Sequence, residues 1–461
     1  MAEDKDKKPS IWSKYTDADK RQLEELGAGY IDFISRCKTE RESVDETIRL
    51  AEACGYNRFE QGMKLRAGDK VYAVCMKKTI ALFNIGTEPL ERGLKILGAH
   101  NDTCRLDVKQ NPLYEDGGLA YLDTHYYGGI KKYQWVALPL AMHGVVIKKD
   151  GSTVNVVIGE AADDPVFCVT DLLIHLAQDQ LQKKADKVVE GENLDILVGN
   201  YPLKDGDKES VKKNVLKLLK DTYDLDEEDF LSAELALVPA GRARELGFDR
   251  SMVLGYGQDD RVCSYTSLIA MLEADKTPAR TNCCLLVDKE EIGSYGATGM
   301  RSKFFENVVA EILEACGQYS ELAVRRALQN SVMLSSDVSS AYDALYADVF
   351  DKKNVAYLGK GMVFNKFTGS RGKSGSSEAN AEYVAKLRAV LDAHDVHYQF
   401  SELGKVDKGG GGTIAHIMAV YGMEVIDSGV AVLSMHAPWE ATSKIDIYET
   451  KKGYAVFLKD M

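Results

Sequence analysis

Residues 283–291 read Cys283-Cys284-Leu285-Leu286-Val287-Asp288-Lys289-Glu290-Glu291. Five apolar residues without alternation describe a strand buried on both faces, as in a parallel sheet covered by helices. Two adjacent carboxylates directly after such a strand are costly unless a metal or another partner compensates them. Outward from this segment the same texture recurs. Val332–Ser335 and Val430–Ser434 are strand-like, and Lys70–Met76, Ile80–Asn84 and Leu94–Ala99 precede them. Helical periods occupy 262–273, 304–316 and 378–394. The alternation predicts an α/β fold, a mixed, largely parallel sheet flanked by helices.

The first segment reads as helical. Thr16 is placed to cap a helix carrying Leu23, Leu26, Tyr30 and Ile34. Ser43 and Glu46 have capping-box spacing before Ile48, Leu50 and Ala53, and Gly55 is placed to end that helix. A chain of 461 residues exceeds the usual limit for one hydrophobic core. Its texture changes between about 106 and 247. Glycine and tyrosine accumulate in Asp116–Gly129, and 136–140 and 144–148 look like strands. Val211, Val215, Leu218 and Leu219 mark an amphipathic helix, followed by the strand-like Glu234–Pro239. The expected organisation is a discontinuous domain of 1–105 and 248–461, interrupted by a β-rich insert over 106–247.

Composition narrows the function classes. A net charge of −13 without a balancing Lys/Arg block argues against a nucleic-acid partner. No apolar run is long enough to span a bilayer, and Met1–Ser10 is charged and lacks the apolar core of a signal peptide. Nine scattered cysteines without a CxxC pair read as reduced thiols in a cytoplasmic protein.

Four potential metal ligands follow predicted strands: His100 after Lys95–Ala99, Glu291 with its neighbour Glu290, Asp337 after Val332–Ser336, and His436 after Val430–Met435. In open α/β sheets ligands bind outside the carboxyl ends of strands. Asp259, in Gln258-Asp259-Asp260-Arg261, precedes a helix in the same region. Two histidines and three carboxylates suit a pair of divalent ions sharing one bridging carboxylate. Each motif alone has an ordinary reading, as a hydrogen-bonded pair or a solvated turn; their joint placement points to a metal centre. The glycine-rich run Gly409–Gly412 reads as a backbone turn lining that site, since a phosphate cradle needs a Gly-Lys-Ser/Thr ending. His143, His394 and His397 read as ordinary core or surface residues.

The motifs Leu97–Asp107, Asp259–Val262, Asp288–Ser294, Ser335–Val338 and Ser434–His436 resemble, in order, the site motifs of the aspartyl aminopeptidase family of two-zinc metallo-aminopeptidases. The resemblance spans essentially the whole chain. It implies removal of N-terminal residues from peptides, with preference for Asp or Glu, by two Zn2+ ions (Co2+ or Mn2+ in their place). It makes Asp259 the bridging ligand, with His100 and Asp337 on one ion and Glu291 and His436 on the other. Asp102 would orient the His100 ring, and Glu290 would be the general base. It further implies a cis bond between Asp259 and Asp260, and an insert serving dimerisation within a tetrahedral dodecamer built from dimers. Lys366, in a segment that also holds Arg371 and Lys373, would pair with an acidic substrate side chain. His175 would reach a neighbouring subunit's site; Leu172, Leu173, Ile174 and Leu176 around it read as a buried turn or packed loop. The chain departs from the family in lacking a histidine within Asp337–Tyr342, and in carrying Trp135-Val136-Ala137 where an aromatic-Asp-Arg run is common. Alternatives are another two-metal amidohydrolase, such as a broad aminopeptidase or a deacylase, and a non-catalytic assembly protein that kept the fold.

Overall fold

The computed structural model describes residues 10–204 and 206–461; the charged stretch before Ser10 lies outside them. Two compact units divide the chain. The first runs to Asp102 and takes up Ala243–Met435 and Glu440–Met461; the second comprises Thr103–Arg242 and His436–Trp439.

The first unit is built on a nine-stranded mixed sheet. Its strands are β1 (Asn57–Arg58), β2 (Lys70–Cys75), β3 (Thr79–Asn84), β4 (Lys95–His100), β5 (Asn282–Val287), β6 (Val332–Ser336), β7 (Met362–Asn365), β8 (Tyr398–Phe400) and β9 (Glu424–Gly429). They lie side by side in the order β1-β2-β3-β5-β4-β6-β9-β7-β8. The four central strands, β5, β4, β6 and β9, are mutually parallel. The helices are α1 (Asp17–Arg36), α2 (Glu40–Ala53), α3 (Gln258–Leu272), α4 (Phe304–Ala315), α5 (Glu321–Gln329), α6 (Ala381–Ala393), α7 (Ala415–Ala419) and α8 (Lys444–Asp460).

Side-chain alternation sorts the strands between two cores. Leu97, Leu286, Leu334 and Ile426 pack with buried residues of α1, α2, α3, α6 and α8. Ile96, Leu285, Met333 and Val425 pack on the other face with α4, α5 and α7. Because both faces are covered, the strands are continuous apolar runs, and that is why they are readable in the sequence. Deleting one such side chain, as in Leu97→Ala, costs about 2–5 kcal/mol.

Thr16 caps α1 in a full capping box with Asp19. The cap of α2 lies four residues earlier than the Ser43–Glu46 spacing suggests: Thr39 and Glu42 form the box. Ser43 is instead buried, donating to Asn101 Oδ1 at 2.8 Å. The run Val430–Ser434 also differs from expectation. In chain order the last strand of the main sheet is β9, which stops at Gly429, while Ala431–Leu433 belongs to a separate five-stranded sheet.

The second unit carries a six-stranded antiparallel sheet, in the order Thr153–Ile158, Leu140–Ile147, Ala233–Pro239, Arg105–Asp116, Leu119–Tyr127 and Ile196–Gly199. Helix Ser210–Tyr223 packs on it, and Trp135 is fully buried. Residues 136–140 do not form the expected strand before Leu140. Ala137 takes a φ of 58°, and Pro139 lacks the N–H that a ladder needs. Leu172, Leu173, Ile174 and Leu176 are not packed away; they are 49%, 57%, 62% and 70% exposed on a single 3-10 turn and its approach.

Candidate metal centre

The parallel strands deliver their next residues to one end of the sheet. β4 ends on His100, whose register partner on β5 is Val287. Asp288 to Glu291 follow β5, and Asp337 follows β6. α3 closes the group from the side. Its first turn departs from helical geometry at Asp259 and Asp260, after Gly257 at φ 73°. The Asp259–Asp260 peptide bond is cis, as the resemblance implies. α3 also clamps the His100 backbone: Asp260 Oδ2 accepts the His100 N–H at 3.3 Å, and Ser264 Oγ donates to the His100 carbonyl at 2.7 Å. The Asp259 N–H is held in turn by Glu440 Oε2 at 3.1 Å.

The side chains converge. His100 Nε2 lies 3.2 Å from Asp259 Oδ1, and 4.0 Å from both Asp337 Oδ1 and Glu290 Oε2. His100, Asp259 and Asp337 are buried, and each places a ligand atom within 4.8 Å of the others. On the far side of the ring, Nδ1 sits 3.0 Å from the Asp102 carbonyl and 3.3 Å from its carboxylate. A proton on Nδ1 donated to Asp102 leaves the Nε2 lone pair facing the two carboxylates, the tautomer a metal ligand requires. Asp102 also accepts the N–H groups of Glu290 and Glu291, each at 3.1 Å, through its two carboxylate oxygens.

Electrostatics constrain what this pocket can hold. Burial pushes the Asp337 carboxyl well above its usual range, and the neighbouring Asp260 charge adds to it. Asp260 is raised in the same way, by burial and then by Asp259. Burial alone would hold the His100 ring neutral. The Asp102 and Asp259 carboxylates and the Asp260 charge outweigh it and raise its pKa well above the usual histidine value. Beside burial, all three shifts report acidic groups crowded into one small volume, an excess of negative charge when they are ionised. A divalent cation bound by one imidazole nitrogen and carboxylate oxygens neutralises that excess, so the donor set fits zinc or a similar ion.

The structure thus brings together His100, Asp102, Asp259, Glu290 and Asp337. Glu291 is fixed through its backbone to Asp102. In the second unit, His436 takes a φ of 64°, and its Nδ1 lies 2.9 Å from the Gly129 carbonyl. Cys104 Sγ lies within 4.8 Å of a His436 ring nitrogen; nothing in the scattered cysteine pattern singled it out. Lys366 is exposed and leaves β7, which is antiparallel to β9, toward the amino ends of the parallel strands. His175 is exposed on the second unit. Ser264 and Glu440, which hold backbone rather than substrate, carry no motif. Asp260 was visible as the second acid of Asp259-Asp260-Arg261.

A family model described as aminopeptidase I zinc metalloprotease (M18) matches residues 33–458. A probable M18 family aminopeptidase 1 of Clostridium acetobutylicum is 62% identical over 456 residues, covering 98% of either chain. The crystal structure of an M18 family aminopeptidase from Thermotoga maritima superposes with a TM-score of 0.95 at 42% identity, over 99% of this chain and 100% of that one. The S. cerevisiae mApe1 dodecamer shares the fold at a TM-score of 0.78 and 20% identity, over 95% of this chain and 97% of that one.

Proposed function

The chain belongs to the M18 family of zinc aminopeptidases, and from that premise we propose that it uses two divalent ions and Glu290 to hydrolyse the bond after a peptide's N-terminal residue. The observation that carries this reading is the convergence of His100, Asp259 and Asp337 beside Glu290. His100, Asp259 and Asp337 would hold one ion, and by the resemblance Asp259, Glu291 and His436 would hold the second. Metal ions at such a site lower the pKa of water and polarise a carbonyl. Glu290, whose N–H is held by the Asp102 carboxylate, takes the proton from the attacking water and returns it to the leaving amine. Asp102 keeps His100 in its metal-binding tautomer. Although β7 runs away from the strand ends that carry His100 and Asp337, the resemblance assigns Lys366 to an acidic substrate side chain, giving preference for N-terminal Asp or Glu.

The same reading makes the protein a cytoplasmic homo-oligomer, a tetrahedral dodecamer built from dimers, in which His175 of one chain serves the site of its neighbour. The exposed apolar run around His175 supports an interface there. Among the described residues no helix is long and apolar enough to cross a membrane.

Hydrolysis of Asp-, Glu-, Leu- and acyl-linked peptides by the metal-replete protein tests this. Free acidic residues should be released fastest, with two metal equivalents per chain by elemental analysis. Glu290→Gln should keep both equivalents and lose roughly 10²–10⁴-fold in kcat. Lys366→Ala should narrow the Asp-over-Leu ratio. Near-normal turnover in Glu290→Gln removes that residue as base, an unchanged ratio removes Lys366, and release from acyl-linked substrates alone makes the enzyme a deacylase.

A further inference from the structure

Away from the metal centre, a cavity of about 910 Å³ opens along the free edge of the main sheet. Cavities of roughly 300–1,000 Å³ are the usual size of ligand sites. β8 is the outermost strand and, among the described residues, pairs only with β7. Two bonds set the phase of that ladder: Met362 N–H donates to the His397 carbonyl at 3.0 Å, and Ser401 N–H donates to the Phe364 carbonyl at 2.9 Å. Gln399 therefore turns its backbone toward β7. The N–H and C=O groups of Tyr398 and Phe400 point the other way, off the edge of the sheet, and both residues line the cavity.

The charge of the lining runs against that of the chain. Lys14, Lys353, Lys360 and Arg388 face a single carboxylate, Asp392, in a protein of net charge −13. Lysines placed on an edge strand often guard it against aggregation. Here β8 itself is Tyr-Gln-Phe, and the cations come from other segments lining the same cavity. That arrangement leaves the edge open and makes its surroundings positive.

We propose that this groove binds an extended acidic peptide segment, which adds to β8 as a further strand of the sheet. Strand addition would satisfy the outward backbone groups of Tyr398 and Phe400, while Glu or Asp side chains on alternate positions meet the cations of the cavity lining. A small free anion would use the cations and leave the backbone edge unused, so the peptide is the better fit.

The test uses the whole 461-residue protein and a fluorescein-labelled peptide of alternating Glu and Val. Its N-terminus is acetylated so that no exopeptidase site can take it up by a free amine. Anisotropy should report binding that weakens as salt rises. A Lys-for-Glu peptide should not bind. Lys360→Glu with Arg388→Glu should weaken binding at least about tenfold, while the melting temperature and the hydrolysis of a short unblocked peptide stay unchanged. The same Glu peptide, N-methylated at alternate amides, should lose binding to a similar degree, because it can no longer pair with an edge. Three results would overturn the proposal. No binding leaves the cations as a guard of the edge, unaffected binding by the double variant places the peptide elsewhere, and full binding of the N-methylated peptide makes this a site for free anions.

Discussion

Asp102 meets three partners at once: the His100 ring on one side and the N–H groups of Glu290 and Glu291 on the other. A carboxylate can accept from all of them; an amide cannot. In Asp102→Asn the NH2 group must face either a backbone N–H or the ring proton, so one donor is left opposed to another. The variant should fold, and its metal affinity or activity should fall roughly 10–100-fold, measured by metal titration and by kcat. Unchanged affinity and kcat would reduce Asp102 to a loop anchor. A second residue gives a pH signature of its own. Lys95, buried at the start of β4, donates to the Lys459 carbonyl at 3.1 Å. Burial, followed by the charge of Arg280, lowers its pKa from 10.5 to about 8. Its charge is therefore carried at a cost at neutral pH. Between pH 8 and 10.5 the unfolded chain binds the extra proton, so this residue's contribution rises with pH. Lys95→Met should stabilise the protein at pH 7 by on the order of 3 kcal/mol. Denaturant titrations should show that gain fading by pH 10.5; a gain constant with pH would mean that packing, not charge, is responsible. The placement of His100, Asp259, Glu290 and Asp337 in one region was legible from acids and a histidine at strand ends, whereas Asp102 came only from the resemblance. Ser264 and Glu440 were not legible, because their contacts to His100 and Asp259 depend on a fold that brings distant segments together.

Elements were legible where burial is two-sided and obscured where tertiary bonds compete with local signals. β4, β5 and β6 announce themselves as apolar runs. β9 does not, because Glu424, Asp427 and Ser428 interrupt it. Asp427 is tolerated there because Ser335 and Thr413 donate to it at 3.0 and 2.6 Å, even though burial raises its pKa to about 6. At α2 two capping-box spacings stand side by side, Thr39-x-x-Glu42 and Ser43-x-x-Glu46, and sequence spacing alone does not choose between them. Tertiary structure does, by giving Ser43 to Asn101, between His100 and Asp102. The two residues should separate on mutation. Thr39→Ala removes a helix cap and should cost about 1 kcal/mol with kcat unchanged. Ser43→Ala removes a buried bond beside His100, the proposed metal ligand. It should cost about 1–3 kcal/mol and also weaken metal binding. Chemical denaturation and metal titration on both variants give the comparison, and equal metal affinity in the two would detach Ser43 from the site.

At the scale of the whole molecule, the sequence around His175 misled in one respect: four apolar residues in five positions looked like packed core, yet they are solvent-facing in the single chain. Apolar side chains of that size rarely stay in water as a contiguous patch unless another surface covers them. Local composition cannot tell burial within a chain from burial between chains, since both remove the same area from water. A second copy covering this turn would reconcile the sequence reading with the exposure, and would carry His175 to a neighbour's site. Leu173→Asp with Ile174→Asp should then shift the protein to a smaller species in light scattering, with activity falling in parallel. His175→Phe keeps the apolar character of the turn and should leave the mass unchanged, while kcat drops by roughly 10²–10³-fold, the scale of losing one oxyanion donor. The two variants divide the idea into separable parts. If the double aspartate variant keeps its mass, the turn is not an interface. If it dissociates into fully active monomers, the interface is real but His175 acts on no neighbour, and each chain's catalysis is complete in itself.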